Sequence, residues 1–193
     1  PDTAAAPESA VRDRKAAKGM ALWTLQKMAM GGMHDHLGGG FHRYSVDKLW
    51  HVPHFEKMLY DQAQLACSYL DAYQTSRAPA FAETARAILD YVRRDLTDAE
   101  GGFYSAEDAD SLLTHGKPEH AEGAFYVWTS AEIDAVLGNA PEQNALFKRF
   151  YGVESAGNAP QGSDPQGELA GKNVLIQRLS IKEAAQIFGT TPE

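Results

Sequence analysis

A long glycine- and histidine-rich segment is the feature that most constrains the fold. It extends from Gly31 to Pro53 between two helix-forming stretches, and it contains three consecutive glycines at positions 38–40. Three adjacent glycines suit neither a helix nor a strand, so they mark a loop where the backbone bends tightly or a ligand approaches. Five of the seven histidines lie between His34 and His54. The chain therefore combines helices with one long loop that is rich in polar groups.

The spacing of apolar residues predicts a mainly α-helical chain. Apolar side chains recur at helical spacing on both sides of the long loop. Ser or Thr followed three residues later by Glu marks two helix starts, at Thr129 and Ser180. Short strands are predicted within residues 97–128 and over 173–176. The predicted helices cover residues 10–30, 53–75, 79–94, 129–138, 141–152 and 180–189.

Charge and cysteine content restrict the class of partner. Asp and Glu number 26 against 18 Lys and Arg, which gives a formal net charge of −8. An acidic surface argues against general binding of a nucleic-acid backbone or an anionic membrane. No apolar run is long enough to span a bilayer. The one cysteine, Cys67, lies in a helical stripe and is predicted to be a buried structural thiol, and a reducing, cytoplasmic location is expected.

Residues 34–61 hold the groups most able to carry chemistry. Imidazole titrates near neutral pH, so these histidines could transfer protons or bind a metal ion. The metal interpretation is disfavoured, because no two histidines have the HExxH spacing that places both on one helical face. In the acid/base interpretation, a histidine or carboxylate moves a proton while Arg43 or Lys57 stabilises an oxyanion. The alternative is structural: polar side chains, such as His34 and Asp35, tie the loop to the helices.

A second polar segment follows the third helix. Residues 107–110 read Glu-Asp-Ala-Asp, but the positions after them lack the pattern of an EF-hand calcium loop. A carboxylate pair for glycoside hydrolysis and a solvated acidic turn are both open alternatives. The sequence GGFH at 39–42 recurs as GGFY at 101–104, which hints at a repeated helical hairpin with its loop.

Three longer motifs carry a resemblance to a known family. They read GGMHDHLGGGFHRYSVDKLWHVPHFEKMLYDQAQL, GGFYSAEDADS and EGAFYVWT. In this order they resemble the family of thioredoxin-domain-containing proteins that includes spermatogenesis-associated protein 20. The resemblance implies a partial (α/α)6 toroid of helical hairpins with a short β-hairpin, similar to six-hairpin glycosidases and N-acylglucosamine 2-epimerases. Residues 1–10 would be a linker and residues 11–193 the amino-terminal part of that toroid, without its thioredoxin-like domain.

The resemblance implies a pocket lined by residues 38–56 and 101–110. We expect a sugar-like ligand and a reaction of the epimerase, isomerase or glycosidase type, with no cofactor and no bound metal. The alternatives are a non-catalytic scaffold for the thioredoxin-like domain and a metal-dependent enzyme. Expected partners are that domain and the remaining helical hairpins. The predicted catalytic residues are His42, His54, Glu56 and Asp108. The predicted ligand-binding residues are Phe41, Arg43, Tyr44, Trp50 and Asp110.

Overall fold

The computed structural model of the protein describes residues 8–114, 116–164 and 167–191. Six helices are present in this part of the chain, which confirms a mainly helical fold. They are α1 (Glu8–Met30), α2 (Leu59–Ser76), α3 (Pro79–Asp95), α4 (Ser130–Leu137), α5 (Pro141–Tyr151) and α6 (Ile181–Phe188). Of the predicted linker, residues 1–7 lie outside the described residues and Glu8 opens α1.

In the residues that the structure describes, eight short strands pair into four antiparallel two-stranded sheets. The strands are β1 (Tyr44–Ser45), β2 (Pro53–His54), β3 (Lys57–Met58), β4 (Ala106–Glu107), β5 (Asp110–Leu112), β6 (His120–Glu122), β7 (Val127–Trp128) and β8 (Asn173–Val174). The pairs β1–β2 and β5–β6 are local, whereas β3–β4 and β7–β8 join distant segments. The strands predicted within 97–128 and at 173–176 are confirmed, and the predicted hairpin is one of four small sheets.

Both predicted capping boxes are present. The Thr129 hydroxyl accepts a hydrogen bond from the Glu132 amide at 3.1 Å, and the Glu132 carboxylate accepts one from the Thr129 amide at 2.6 Å. Ser180 and Glu183 repeat this exchange at 3.2 and 2.8 Å. Since these bonds satisfy backbone amides that have no partner within the helix, they fix where α4 and α6 begin.

The predicted start of the second helix at Pro53 is wrong, because α2 begins at Leu59. Residues 53–58 are extended instead, as β2 pairs with β1 and β3 pairs with β4. An extended backbone sends alternate side chains to opposite faces. Phe55 and Lys57 are accordingly buried, while His54 and Glu56 are partly exposed. This alternation creates the two charged clusters described below.

The described part of the chain has two apolar core clusters. The first joins the end of α1 to the α2–α3 hairpin, and the Tyr69 hydroxyl donates to the Leu25 carbonyl at 2.8 Å across it. Its buried members are Met33, Phe41, Ala66, Tyr69, Ala72, Phe81, Ala85 and Ile88. The second lies beneath the sheets and contains Val52, Phe55, Ala109, Val127, Leu169 and Val174. The long loop contributes to both clusters, so it is a structural part of the core.

Two predictions about burial are wrong. Cys67 is exposed. The buried face of α2 consists of Gln62, Ala66, Tyr69 and Ala72. Cys67 directly follows Ala66, and adjacent residues of a helix point in different directions, so its side chain lies off that face. The helical spacing of apolar residues in α1 also predicts Met20 and Trp23 in the core, but they are 71% and 58% exposed. Among the described residues, no helix combines the length and apolar character needed to cross a membrane.

Candidate functional site

The centre of the candidate site is a buried lysine on β3. Lys57 is 1% exposed, and its ammonium donates to Asp35 Oδ2 at 2.8 Å and to the Gly39 carbonyl at 3.0 Å. The same nitrogen lies 4.4 Å from the ring centroid of Tyr91 and 4.7 Å from that of Tyr126. A buried ammonium requires such partners, because its desolvation is otherwise very unfavourable.

Glu107 faces Lys57 across the β3–β4 pair. Its carboxylate accepts a hydrogen bond from the Tyr91 hydroxyl at 2.7 Å and another from the Tyr126 hydroxyl. Burial, and next the hydrogen bond to Glu107, raises the pKa of both tyrosines above the ordinary value, so both hydroxyls stay protonated. We call Asp35, Lys57, Tyr91, Glu107 and Tyr126 the lysine cluster.

Asp35 connects this cluster to the glycine-rich loop. Its carboxylate accepts hydrogen bonds from the amides of Leu37 at 3.0 Å and Gly38 at 2.8 Å. Burial alone would raise the pKa of Asp35, but the Lys57 ammonium and these amides together hold it below its ordinary value. Asp35 therefore stays ionised. Its bonds to the Leu37 and Gly38 amides hold the loop next to Gly39, whose carbonyl accepts a hydrogen bond from Lys57.

The three consecutive glycines allow a close approach of the loop to α3. Gly39 and Gly40 have φ angles of 77° and 75°, a region that L side chains rarely adopt. A Cβ on Gly40 would lie 2.5 Å from the Tyr91 ring, and one on Gly39 would lie 2.8 Å from the Ala87 carbonyl oxygen. The glycines thus bring the backbone against Tyr91, which is a member of the lysine cluster.

Three histidines approach the lysine cluster from the loop. His34 Nδ1 donates to the Ala29 carbonyl at 3.2 Å, His36 Nε2 to the Gly31 carbonyl at 3.0 Å, and His42 Nδ1 to the Phe55 carbonyl at 3.0 Å. Burial is the main cause that lowers the pKa of His34 and of His42 to about 3, and it lowers the pKa of His36 as well. These imidazoles are therefore neutral at neutral pH.

Two neighbouring cavities lie on either side of Tyr126. The first, the histidine cavity, has a volume of about 270 Å³ and is lined by the three histidines, Phe55 and Trp128, among others. The second, the lysine cavity, has a volume of about 560 Å³ and is lined by Lys57 and Glu107, among others. Both cavities are also lined by Asp35, Gly38, Phe125 and Tyr126. Two members of the lysine cluster, Asp35 and Tyr126, therefore lie in the wall that the cavities share, and the other three line the lysine cavity alone.

A second charged cluster lies on the outer face of the extended segment. His54 Nδ1 contacts Glu122 Oε1 at 2.6 Å, and its Nε2 lies 3.2 Å from Glu56 Oε2. Arg43 Nη1 donates to the same Glu56 oxygen at 2.8 Å, and the Tyr44 ring stacks on His54 with centroids 5.0 Å apart. We call these five residues the surface cluster. Within the described part of the chain, none of them lines either cavity.

The predicted site residues are thus divided between different surroundings. His42 lines the histidine cavity, whereas Arg43, Tyr44, His54 and Glu56 meet in the surface cluster. Their catalytic or binding roles stay predictions.

The other predicted residues belong to neither group. Phe41 is fully buried between His34 and Tyr69. Trp50 has a φ of 62° and packs against the first core cluster. Asp108 and Asp110 are exposed, and neither lines the two cavities.

Sequence reasoning missed three members of the lysine cluster, namely Tyr91, Glu107 and Tyr126. The one sequence signal for this site is the acidic run at 107–110, but the predicted residues were Asp108 and Asp110 and not the half-buried Glu107. No pattern in the sequence indicates that Tyr91 on α3 and Tyr126 before β7 meet at one carboxylate. Across the described ranges, no group of three or more His, Cys, Asp or Glu side chains is arranged to hold a metal ion.

The fold and the site together define a mainly helical protein with a lysine–carboxylate cluster that lines a cavity and shares part of its wall with a second cavity. The chain is homologous to part of spermatogenesis-associated protein 20: it is 49% identical to the human protein over 189 residues and 48% identical to the mouse protein over 190, and each match covers 94% of this chain. It is also 42% identical over 189 residues to the uncharacterized protein B0495.5 of Caenorhabditis elegans, covering 95% of this chain and 26% of that protein. The chain spans 24% of the length of the human and mouse relatives. No protein-family model matches it.

Proposed function

We propose that this chain contributes a sugar-binding site and that the site performs acid/base chemistry of the epimerase or isomerase type. The observation that carries the proposal is Glu107, a carboxylate at the wall of a cavity, held by two tyrosine hydroxyls beside a buried ammonium. A carboxylate fixed in this way is pre-positioned to exchange a proton with a bound molecule.

The lining of the cavities suits a sugar ring. Phe125, Tyr126 and Trp128 offer aromatic surface to the apolar face of a ring, and the polar groups between them offer hydrogen bonds to hydroxyls. This combination of aromatic walls with a few fixed polar groups is what a small polyol requires for orientation.

Glu107 and His42 lie on different sides of one tyrosine. The His42 ring contacts the Tyr126 ring edge to face, with centroids 4.6 Å apart, while the Tyr126 hydroxyl donates to Glu107. Epimerisation next to a carbonyl requires a base that removes a proton and an acid that returns one. In the proposal the Glu107 carboxylate removes the proton and returns one as the carboxylic acid so formed, while the neutral His42, whose N–H is bound to the Phe55 carbonyl, accepts a hydrogen bond from a sugar hydroxyl. Hydrolysis is less favoured, because the other carboxylates that line the cavities, Asp35 and Asp95, are already paired with Lys57 and Arg94.

The partial toroid and its partners belong to the same proposal. Large apolar side chains are exposed on all three of the first helices, as Trp23, Leu70 and Leu89 illustrate. Further helical hairpins and a thioredoxin-like domain would cover such surface in a longer protein of the kind that the resemblance implies. The cytoplasmic location stays a prediction.

A non-catalytic scaffold is the second candidate. It is favoured by the hydrogen bonds of His34, His36 and His42, since each donates to a backbone carbonyl and so contributes to holding the loop. In that case the lysine cluster would stabilise the fold and no reaction would depend on it.

Solvent exchange in D2O separates these candidates. The full chain is incubated with a panel of reducing sugars, and mass spectrometry detects deuterium bound to carbon. Glu107→Gln keeps the size of the side chain and should reduce exchange by about 100-fold or more. Glu56→Gln, its counterpart in the surface cluster, should keep exchange if the buried cluster is the site, and should abolish it if the surface cluster is. The absence of exchange with every sugar would favour the scaffold.

A further inference from the structure

The charge of the cavity walls indicates what kind of sugar they accept. We infer that the two cavities bind an uncharged polyol and reject its phosphorylated or carboxylated derivatives. This inference rests on the proposed function and adds the chemical class of the ligand. Three properties of the described lining residues support it: their net charge, the pairing of their cations and the hydrogen-bonding state of the histidines.

The first property is an excess of negative charge. Three carboxylates line the cavities, namely Asp35, Asp95 and Glu107, against two cations, Lys57 and Arg94. Glu107 provides the excess, because its two hydrogen-bond donors are uncharged tyrosine hydroxyls. An anionic ligand would approach the half-buried Glu107 carboxylate at the cavity wall, where repulsion is less screened than in bulk solvent.

The second property is that both cations are already paired. Lys57 is bonded to Asp35 and to the Gly39 carbonyl, and two aromatic rings lie within 4.7 Å of its nitrogen. Arg94 donates through Nε to Asp95 at 3.0 Å and through Nη2 to the Gly38 carbonyl at 2.6 Å. A phosphate or carboxylate that approached either cation would therefore compete with a carboxylate already bound to it.

The third property is that the histidines are neutral and that the N–H group of each already donates to a backbone carbonyl. His42 donates through Nδ1 to the Phe55 carbonyl, so its Nε2 retains a lone pair that can accept a hydrogen bond. Burial keeps the pKa of this imidazole far below neutrality, and an imidazolium that could bind an anion does not form there. A hydroxyl can donate to such an acceptor, whereas an ionised phosphate or carboxylate oxygen cannot.

The test compares matched pairs of sugars by isothermal titration calorimetry on the full chain. The pairs are N-acetyl-D-glucosamine with its 6-phosphate and D-glucose with D-glucuronate. The neutral member of a pair should bind about tenfold more tightly than the anionic member, or better. Equal or tighter binding of the anionic member would overturn the inference and leave the sugar-binding proposal intact. No binding by any of the four sugars would instead count against the proposed function.

Charge variants locate the origin of the discrimination. Glu107→Gln should reduce the preference for the neutral sugar several-fold, because it removes the uncompensated charge and keeps the side-chain shape. Asp95→Asn should act in the same direction, since it releases the Arg94 guanidinium, and it provides a second reading if the first variant folds poorly. The control is Glu83→Gln, which makes the same charge change at an exposed position of α3. An equal effect of the control would assign the discrimination to the overall charge of the chain and refute the inference.

Discussion

The lysine cluster and the surface cluster each include residues of one extended segment, 53–58, but they differ in burial. Phe55 and Lys57 point inward while His54 and Glu56 point outward. Because side chains alternate along an extended backbone, the neighbouring charges of Glu56 and Lys57 lie on opposite faces, one partly exposed and one in the core. The Lys57 side chain is 1% exposed and the Arg43 side chain 43%. The two ion pairs therefore differ in how much they affect stability. The Lys57–Asp35 pair is held within the core, whereas the Arg43–Glu56 pair is accessible to water and salt.

Removing the inner cation should have the largest effect on stability. Lys57→Met keeps the length of the side chain but leaves Asp35 ionised and without its cation in a largely buried position. We expect a loss of about 3–5 kcal/mol in the free energy of unfolding, measured by urea denaturation. Arg43→Met is the matched control in the surface cluster and should change stability little. If both variants behaved alike, burial would not distinguish the two clusters.

The inner histidines should make stability depend on pH. Because burial lowers the pKa of His34 and His42 from 6.5 to about 3, the unfolded state binds more protons than the folded state below pH 6.5. Stability should therefore be complete above pH 6.5 and decrease as the pH falls towards 3, by about 1 kcal/mol per pH unit for each histidine.

The variant His42→Asn tests this assignment. An asparagine amide can still donate to the Phe55 carbonyl but does not titrate, so the decrease between pH 6 and 4 should become shallower. Urea denaturation at several pH values measures it. An unchanged slope would mean that His42 does not contribute to the pH dependence.

Substitutions in the repeated GG motif should have a smaller effect on stability. The first copy, at residues 39–40, packs against α3, whereas the second copy, at residues 101–102, has no close neighbours among the described residues. Gly39 and Gly101 both have positive φ, 77° and 93°, so Ala is strained at each. Only Gly39 faces a close neighbour, the Ala87 carbonyl oxygen, whereas a Cβ on Gly101 would meet nothing within 4 Å. Gly39→Ala should cost about 2–3 kcal/mol and Gly101→Ala about 1 kcal/mol. Thermal unfolding of both variants checks the difference, and equal losses would show that strain alone determines them.

The helices and their caps could be predicted because their signals are local. The capping boxes at Thr129 and Ser180 and the proline at position 141 mark helix starts without reference to the rest of the chain. The start of α2 was misplaced because Pro53 suits a first helical turn, and its pairing with Ser45 in a sheet depends on the loop between them. Long-range pairing of this kind leaves little trace in the sequence.

The site was predicted only in part, for the same reason. His42 was chosen and lines a cavity, but Tyr91, Glu107 and Tyr126 come from three separate segments that meet only after folding. Asp108 and Asp110 were chosen and Glu107 was not, because the sequence alone does not show which residue of an acidic run is buried. In the structure they are not equivalent, since Asp108 and Asp110 are exposed and Glu107 is half-buried.

The smallest effect should come from the surface cluster. Glu122→Gln removes the charge beside His54 Nδ1 but keeps an oxygen that can accept the bond from the Phe55 amide, which is 3.2 Å long. We expect a loss of about 0.5 kcal/mol in urea denaturation at low salt, and a smaller difference at about 1 M NaCl, because salt screens partly exposed charges. A loss above about 2 kcal/mol that persists at high salt would show that the outer ion pairs are as firmly fixed as the inner one. In that case Glu56 would be held as rigidly as Glu107, and the surface cluster would become an equal candidate for the site of chemistry.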